Sequence, residues 1–339
     1  MDSLTNFLAI IGEEVEDAEE ESFLLFSQDI PSANLGFVDS RATTIDITIH
    51  DQDFTIHQSP TLLSSSRAGG TTGAVLWKIT PLISTWLTNT TKNPNPNPLW
   101  THSLLTPTST VVELGCGISG LIALSLSPKI NHYIATDQEY VQRLFRQNLD
   151  ENSTASSTST GTKSKGTDKA SRRNNNNSKQ SIRNQDAGKG NVTFTSLDWE
   201  LDVAGSLKES LGLVSPLSGT TGYGGEEEEE EDKGFDLVIS CDCIYNEALV
   251  APFVRTCADL CRLRPVYTDD SDGNNMGGDR GGRKPTVCVI AQQQRSPEVF
   301  EAWLQETMRV FRVWRVSDEV LGEKLKSGSG YLVHVLLLK

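Results

Sequence analysis

Apolar residues recur along this chain in two periods, and the switches between them mark out its elements. Short runs rich in β-branched residues at 110–113 (TVVE), 132–137 (HYIATD), 192–199 (VTFTSLDW), 235–240 (FDLVIS) and 286–292 (TVCVIAQ) predict strands. Between them, 120–127, 140–149, 247–263 and 297–310 carry apolar residues at helical spacing, with Pro297 at a first-turn position. Strands alternating with helices imply an α/β fold whose parallel sheet is covered on both faces. The end of the chain differs: 311–317 (FRVWRVS) and 331–338 (YLVHVLLL) are joined by a loop containing Gly328 and Gly330, with no room for a crossover helix, so they should pair antiparallel. No internal repeat is visible.

Composition changes this picture in one respect. The chain has 339 residues and a formal charge of -15, and fourteen of its 45 acids fall in two runs, Glu13 to Glu21 and Glu226 to Asp232. Such runs read as solvated loops. The tract 151–190 holds eight Lys/Arg against three acids, with no aromatic residue and a single Ile, and cannot bury enough apolar surface to fold. That local +5 leaves -20 on the remainder. The predicted organisation is an N-terminal extension over 1–75, with the acidic run 13–21 and short strands, followed by a domain over 76–339 with disordered insertions near 150–190, 216–233 and 267–284. The acidity argues against direct nucleic-acid binding, and no apolar run is long enough for a membrane helix. A protein without a membrane partner, cytoplasmic or nuclear and monomeric, is expected. Six Cys lie in apolar stretches and read as reduced core residues. The Cys241/Cys243 and Cys257/Cys261 spacings do not match common zinc sites, so no metal is expected.

The strongest local signal is VVELGCGISG at 111–120, a strand running into a GxGxxG turn that opens a helix. Gly115 and Gly117 let a ligand approach the backbone, with Cys116 between them. Asp137 ends the next strand, twenty-two residues after Gly115, where it can accept hydrogen bonds from ribose hydroxyls. Glu113, two residues before the first glycine, would repel a pyrophosphate but suit a cationic ligand such as a sulfonium.

On these residues and the late strand pair, the chain resembles the seven-strand class of S-adenosylmethionine-dependent methyltransferases. The segments GTTGAVLW (70–77), LDW (197–199) and SCDCIY (240–245) narrow the resemblance to protein-lysine methyltransferases of that class, most like the fungal ribosomal lysine N-methyltransferase 5 family. The resemblance implies a Rossmann-like sheet ordered 3-2-1-4-5-7-6 with the last strand antiparallel, and S-adenosylmethionine as cofactor. It implies a cofactor site made by Trp77, Gly115, Cys116, Gly117, Asp137, Trp199 and Cys241, to which the charge argument adds Glu113. Asp242 would orient the substrate amine and Tyr245 would shape its channel. The expected substrate is a lysine of a basic protein, by resemblance one of the large ribosomal subunit. Another protein substrate, such as a chaperone or translation factor, and a cofactor-binding interaction module without catalysis are the alternatives. A nicotinamide-dependent dehydrogenase fits less well: no His or Lys follows the fourth or fifth strand as an acid/base, and the five His residues are scattered.

Overall fold

Strands whose residues are buried on both faces read as unbroken apolar runs, and five such runs build the centre of this protein. In the computed structural model the described residues are 3–30, 34–66, 70–90, 96–155, 190–216, 231–266 and 284–339. The interiors of the three polar insertions lie outside them. The strands, in chain order, are β1 Gly12–Glu14, β2 Thr44–Ile49, β3 Gln52–His57, β4 Thr110–Leu114, β5 His132–Asp137, β6 Val192–Ser196, β7 Ser215–Pro216, β8 Glu231–Asp232, β9 Leu237–Cys241, β10 Val287–Gln293, β11 Phe311–Val316 and β12 Tyr331–Leu338.

Eight of these form one sheet in the order β1-β11-β12-β10-β9-β4-β5-β6. Seven follow the order expected from the sequence, with β12 antiparallel to both β10 and β11. The correction is an eighth strand, β1, which pairs antiparallel with β11 and extends that edge. Alternation along each strand sends neighbours to opposite faces. Val111, Ile239 and Val289 join one apolar cluster with the helices Ile79–Leu87 and Leu121–Leu126. Val112, Val238 and Ile290 join another with the helices Val250–Cys261 and Pro297–Met308. The cysteines are free, and all but Cys241 are buried.

β2 and β3 form a separate hairpin that rests on the helix Gln142–Ala155. Asn148 and Asn152 of that helix, one turn apart, face alternate residues of β3. The His57 N–H donates to Asn148 Oδ1 at 2.7 Å while Asn148 Nδ2 donates back to the His57 carbonyl at 2.9 Å. Asn152 makes the same two-way contact with Thr55. Two side chains thus satisfy a strand edge that a neighbouring strand would otherwise pair.

The first acidic run is not a solvated loop. Glu13 and Glu14 lie in β1, Asp17 caps the helix Ala18–Phe26 by accepting the Glu20 N–H, and Glu21 is buried. The reason is the register of β1 on β11, which sets Glu13 directly opposite Arg315 and Glu14 opposite Trp314, one same-face step from Arg312. Arg312 pairs with Glu14, and Arg315 bridges Glu13 at 2.9 Å and Glu21 at 2.7 Å. Burial alone would raise the Glu21 carboxyl, but His334 and Arg315 outweigh it and hold the group below its ordinary value. A carboxylate held low contributes stability that is present above its unfolded value and lost as pH falls through its native one. Arg315→Met should therefore lower unfolding stability by about 2 kcal/mol at neutral pH. In paired denaturant titrations that deficit should shrink below about pH 4, where Glu21 is protonated in the unfolded chain.

Candidate active site

β4 and β5 end side by side, and the chain leaves β4 through the glycine loop. Gly115 and Gly117 adopt φ of +70° and +60°. A Cβ on Gly115 would stand 2.3 Å from Cys243 Sγ, so the position requires glycine by space as well as by conformation. The N–H groups of Gly115 and Cys116 both donate to the Thr136 carbonyl, at 2.9 and 3.0 Å, which ties the loop to β5. From above, the segment that precedes Trp77 closes on it: the Ile118 N–H donates to the Gly73 carbonyl at 2.9 Å.

A cavity of about 500 Å³ opens over this loop. All ten residues singled out in the sequence line it: Trp77, Glu113, Gly115, Cys116, Gly117, Asp137, Trp199, Cys241, Asp242 and Tyr245. Asp137 accepts the Gly117 N–H at 2.8 Å on one oxygen and the Gln138 N–H at 2.7 Å on the other. Each oxygen keeps a further lone pair for a ligand hydroxyl. Burial pushes this carboxyl up to about 6, against the two N–H donors. Glu113 is 2 % exposed and accepts a hydrogen bond from the Tyr133 hydroxyl at 2.7 Å. Burial pushes it up to about 7, with the Tyr133 bond opposing and the Asp137 charge adding. Trp199 stands edge-on to Phe253, with centroids 5.1 Å apart, and flanks Gly115. Tyr245 is 40 % exposed, and the Thr72 hydroxyl donates to its hydroxyl at 3.5 Å.

Asp242 follows β9 in a left-handed conformation, φ +61°, which Asp tolerates better than most residues. Its N–H donates to the Ala291 carbonyl at 2.7 Å and its Oδ1 accepts the Gln293 N–H at 3.0 Å. Its other oxygen is paired with Arg295, a residue the sequence did not point to. The Arg295 guanidinium also lies over the Trp77 ring, 4.5 Å from its centre. Trp77 is fixed in turn by donating its Nε1–H to the Thr72 carbonyl at 3.0 Å and by Phe37, 4.3 Å away. Burial raises the Asp242 carboxyl while Arg295 and the Gln293 N–H pull it down. A cue existed in the sequence: Arg295 lies just beyond the carboxyl end of β10, where α/β sheets place their ligands.

The donor set decides what the cavity can accept. Five carboxylates line it, Glu113, Asp137, Asp198, Glu200 and Asp242, and no Lys or Arg does among the described residues. Together with aromatic faces, this suits a cationic ligand carrying a sugar and a base, and opposes a pyrophosphate.

The sequence pattern of the family described as lysine methyltransferase matches residues 56–165, which hold the 70–77 segment, the glycine loop and Asp137. A ribosomal lysine N-methyltransferase 5 from Zygosaccharomyces rouxii is 27 % identical over 76 % of this chain and 70 % of its own length. Over residues 56–165, then, this chain is similar to the lysine methyltransferase family. A Schizosaccharomyces pombe protein named diaminohydroxyphosphoribosylamino-pyrimidine deaminase is 36 % identical over 91 % of this chain, which spans 55 % of that protein's length. The H-x-E and P-C-x-x-C pattern of zinc deaminases occurs nowhere in this sequence. A solved methyltransferase from Pyrococcus furiosus matches over 95 % of this chain and 94 % of its own, at 11 % identity and a TM-score of 0.38. No helix among the described residues is long and apolar enough to cross a membrane.

An acid buried without a counter-cation should show it in the stability of the protein. Glu113 stays protonated in the fold up to about pH 7 but ionises near pH 4.5 when unfolded, so stability falls as pH rises across that interval. Thermal melts should show this loss, worth on the order of 3 kcal/mol, added to that of Asp137 below about pH 6, and Glu113→Gln should flatten the profile between about pH 6 and 7 while leaving the Asp137 share.

Proposed function

We propose that this chain is an S-adenosylmethionine-dependent protein-lysine N-methyltransferase whose substrate is a protein of the large ribosomal subunit. The observation that carries this reading is the charge of the cavity: among the described residues five carboxylates and no Lys or Arg line it, with Arg295 behind the wall matching Asp242 alone, around a loop where only glycine fits. Glu113 and Asp137 are raised toward neutrality for want of a cation, and a sulfonium with its amino group would relieve that cost. The name of the Zygosaccharomyces rouxii relative supports the ribosomal substrate. An excess of acid on the chain suits a basic target, met where ribosomal proteins are made or assembled.

The residues divide the work. Gly115, Cys116 and Gly117 present backbone to the cofactor, Asp137 takes its ribose hydroxyls, and Trp199 packs against its base. Cys241 and Glu113 fill the wall beneath. When bound, S-adenosylmethionine supplies an electrophilic methyl group that an uncharged lysine nitrogen can take up by in-line displacement. The protein must therefore align the amine, exclude water and let the amine proton leave. Asp242 aligns the amine before its proton passes to water, and Tyr245, half in solvent at the mouth, shapes the path of the side chain.

The test is to incubate the purified chain with methyl-labelled S-adenosylmethionine and, separately, salt-washed large ribosomal subunits and a ribosome-free extract. Label should enter a subunit protein at lysine, located by mass spectrometry. Label confined to the soluble extract would replace the ribosomal substrate by a chaperone or translation factor, and cofactor binding without any labelled protein would sink the enzyme. Asp242→Asn should slow transfer by about a hundredfold or more while leaving calorimetric binding of S-adenosylhomocysteine within a few-fold.

A further inference from the structure

The Arg295 side chain touches both Asp242 and Trp77. It leaves the chain between β10 and the helix Pro297–Met308, whose cap is Ser296. Its guanidinium reaches back to donate to Asp242 Oδ2 and to Gln293 Oε1, the latter at 3.0 Å, and lies on the Trp77 ring. The Arg295 side chain is 25 % exposed and that of Asp242 2 %. A cation clasped between a buried carboxylate and an indole face is the arrangement that a lysine ammonium entering the same site would adopt. The protein already contains that cation.

This matters because the reacting amine must be uncharged. A bare carboxylate beside a lysine favours the ammonium and raises its pKa by roughly 1 to 3 units, whereas a carboxylate already matched by arginine does not. We infer that Arg295 is a positioning residue: it keeps Asp242 neutralised, so that the substrate lysine is held there as the uncharged amine. The inference rests on the proposed methyl transfer to lysine. The other titratable groups acting around Asp242 are Cys241, Cys243 and Tyr245 on its own segment, Tyr331 at the start of β12, and Glu113 and Asp137 across the cavity. Thiols and phenols pushed up by burial stay neutral, and Glu113 and Asp137 are acids, so none of these can replace the arginine. Arg295 also fixes the Trp77 face by stacking on it. Lysine at 295 would keep the charge but present a point donor rather than a planar fork.

The experiment measures kcat against pH, which reads groups in the enzyme–substrate complex, for methyl transfer to saturating salt-washed large ribosomal subunits, in the wild type, Arg295→Gln and Arg295→Lys. Binding of S-adenosylhomocysteine by calorimetry controls for the fold. Losing the arginine charge should raise the amine pKa and move the ascending limb of the profile to higher pH by about 1 unit. Near pH 7.5, R295Q should then be down about tenfold, the gap closing at alkaline pH, while R295K keeps the wild-type limb. A uniform loss at every pH, or a limb that does not move in R295Q, overturns the inference and leaves the methyltransferase reading standing. R295K is the second variant should R295Q not fold: a displaced limb in R295K overturns the inference equally. Cofactor binding by a wild type that labels no protein overturns the underlying reading, and the inference with it.

Discussion

Two carboxylates without a cation, Glu113 buried and Asp137 half-buried, at the adjoining ends of β4 and β5, are the constraint around which this protein is arranged. Burying an acid costs free energy unless hydrogen bonds or a positive charge compensate. Glu113 has the Tyr133 hydroxyl and Asp137 has two backbone N–H donors, and both remain raised. The glycine loop supplies one of those donors, and Thr136 of β5 holds the loop in place. Loop, strands and acids therefore form one unit, whose unmet demand is a cation with hydroxyl donors attached.

The N-terminal part of the chain completes that unit. Residues 70–77 run over the glycine loop, bonded through Gly73 to Ile118, and end in the tryptophan that carries Arg295. Through that arginine the segment meets Asp242, which is held by β10 through Ala291 and Gln293. The site thus draws on segments that precede the first sheet strand of the domain and follow its fifth, and a local change in either should be felt at the same carboxylate.

What was legible in the sequence was local. The period of the strands, the GxGxxG turn and Asp137 depend on residues close together in the chain; helix alternation implied a parallel sheet and the final strand pair an antiparallel end, while the seven-strand order came only with the family resemblance. What was not legible depends on distant partners. Whether Glu21 is solvated or buried is decided by Arg315, 294 residues away, and nothing near Glu21 announces it. Asp242 could be picked from its motif, but its partner Arg295 lies 53 residues on, beyond a polar insertion. Burial and charge pairing are properties of the fold, and a pattern read along one segment records only half of each pair.

The short strand β1 has an effect beyond its three residues. Without it, β11 would be the outer strand of the sheet, with Phe311, Val313 and Trp314 alternating along an unpaired backbone edge. Such an edge is a template for pairing with another chain. β1 replaces it with an outer strand of three residues whose two glutamates pair with the β11 arginines, a short charged edge that disfavours further pairing, so its loss would be expressed first as aggregation rather than as a change in the site.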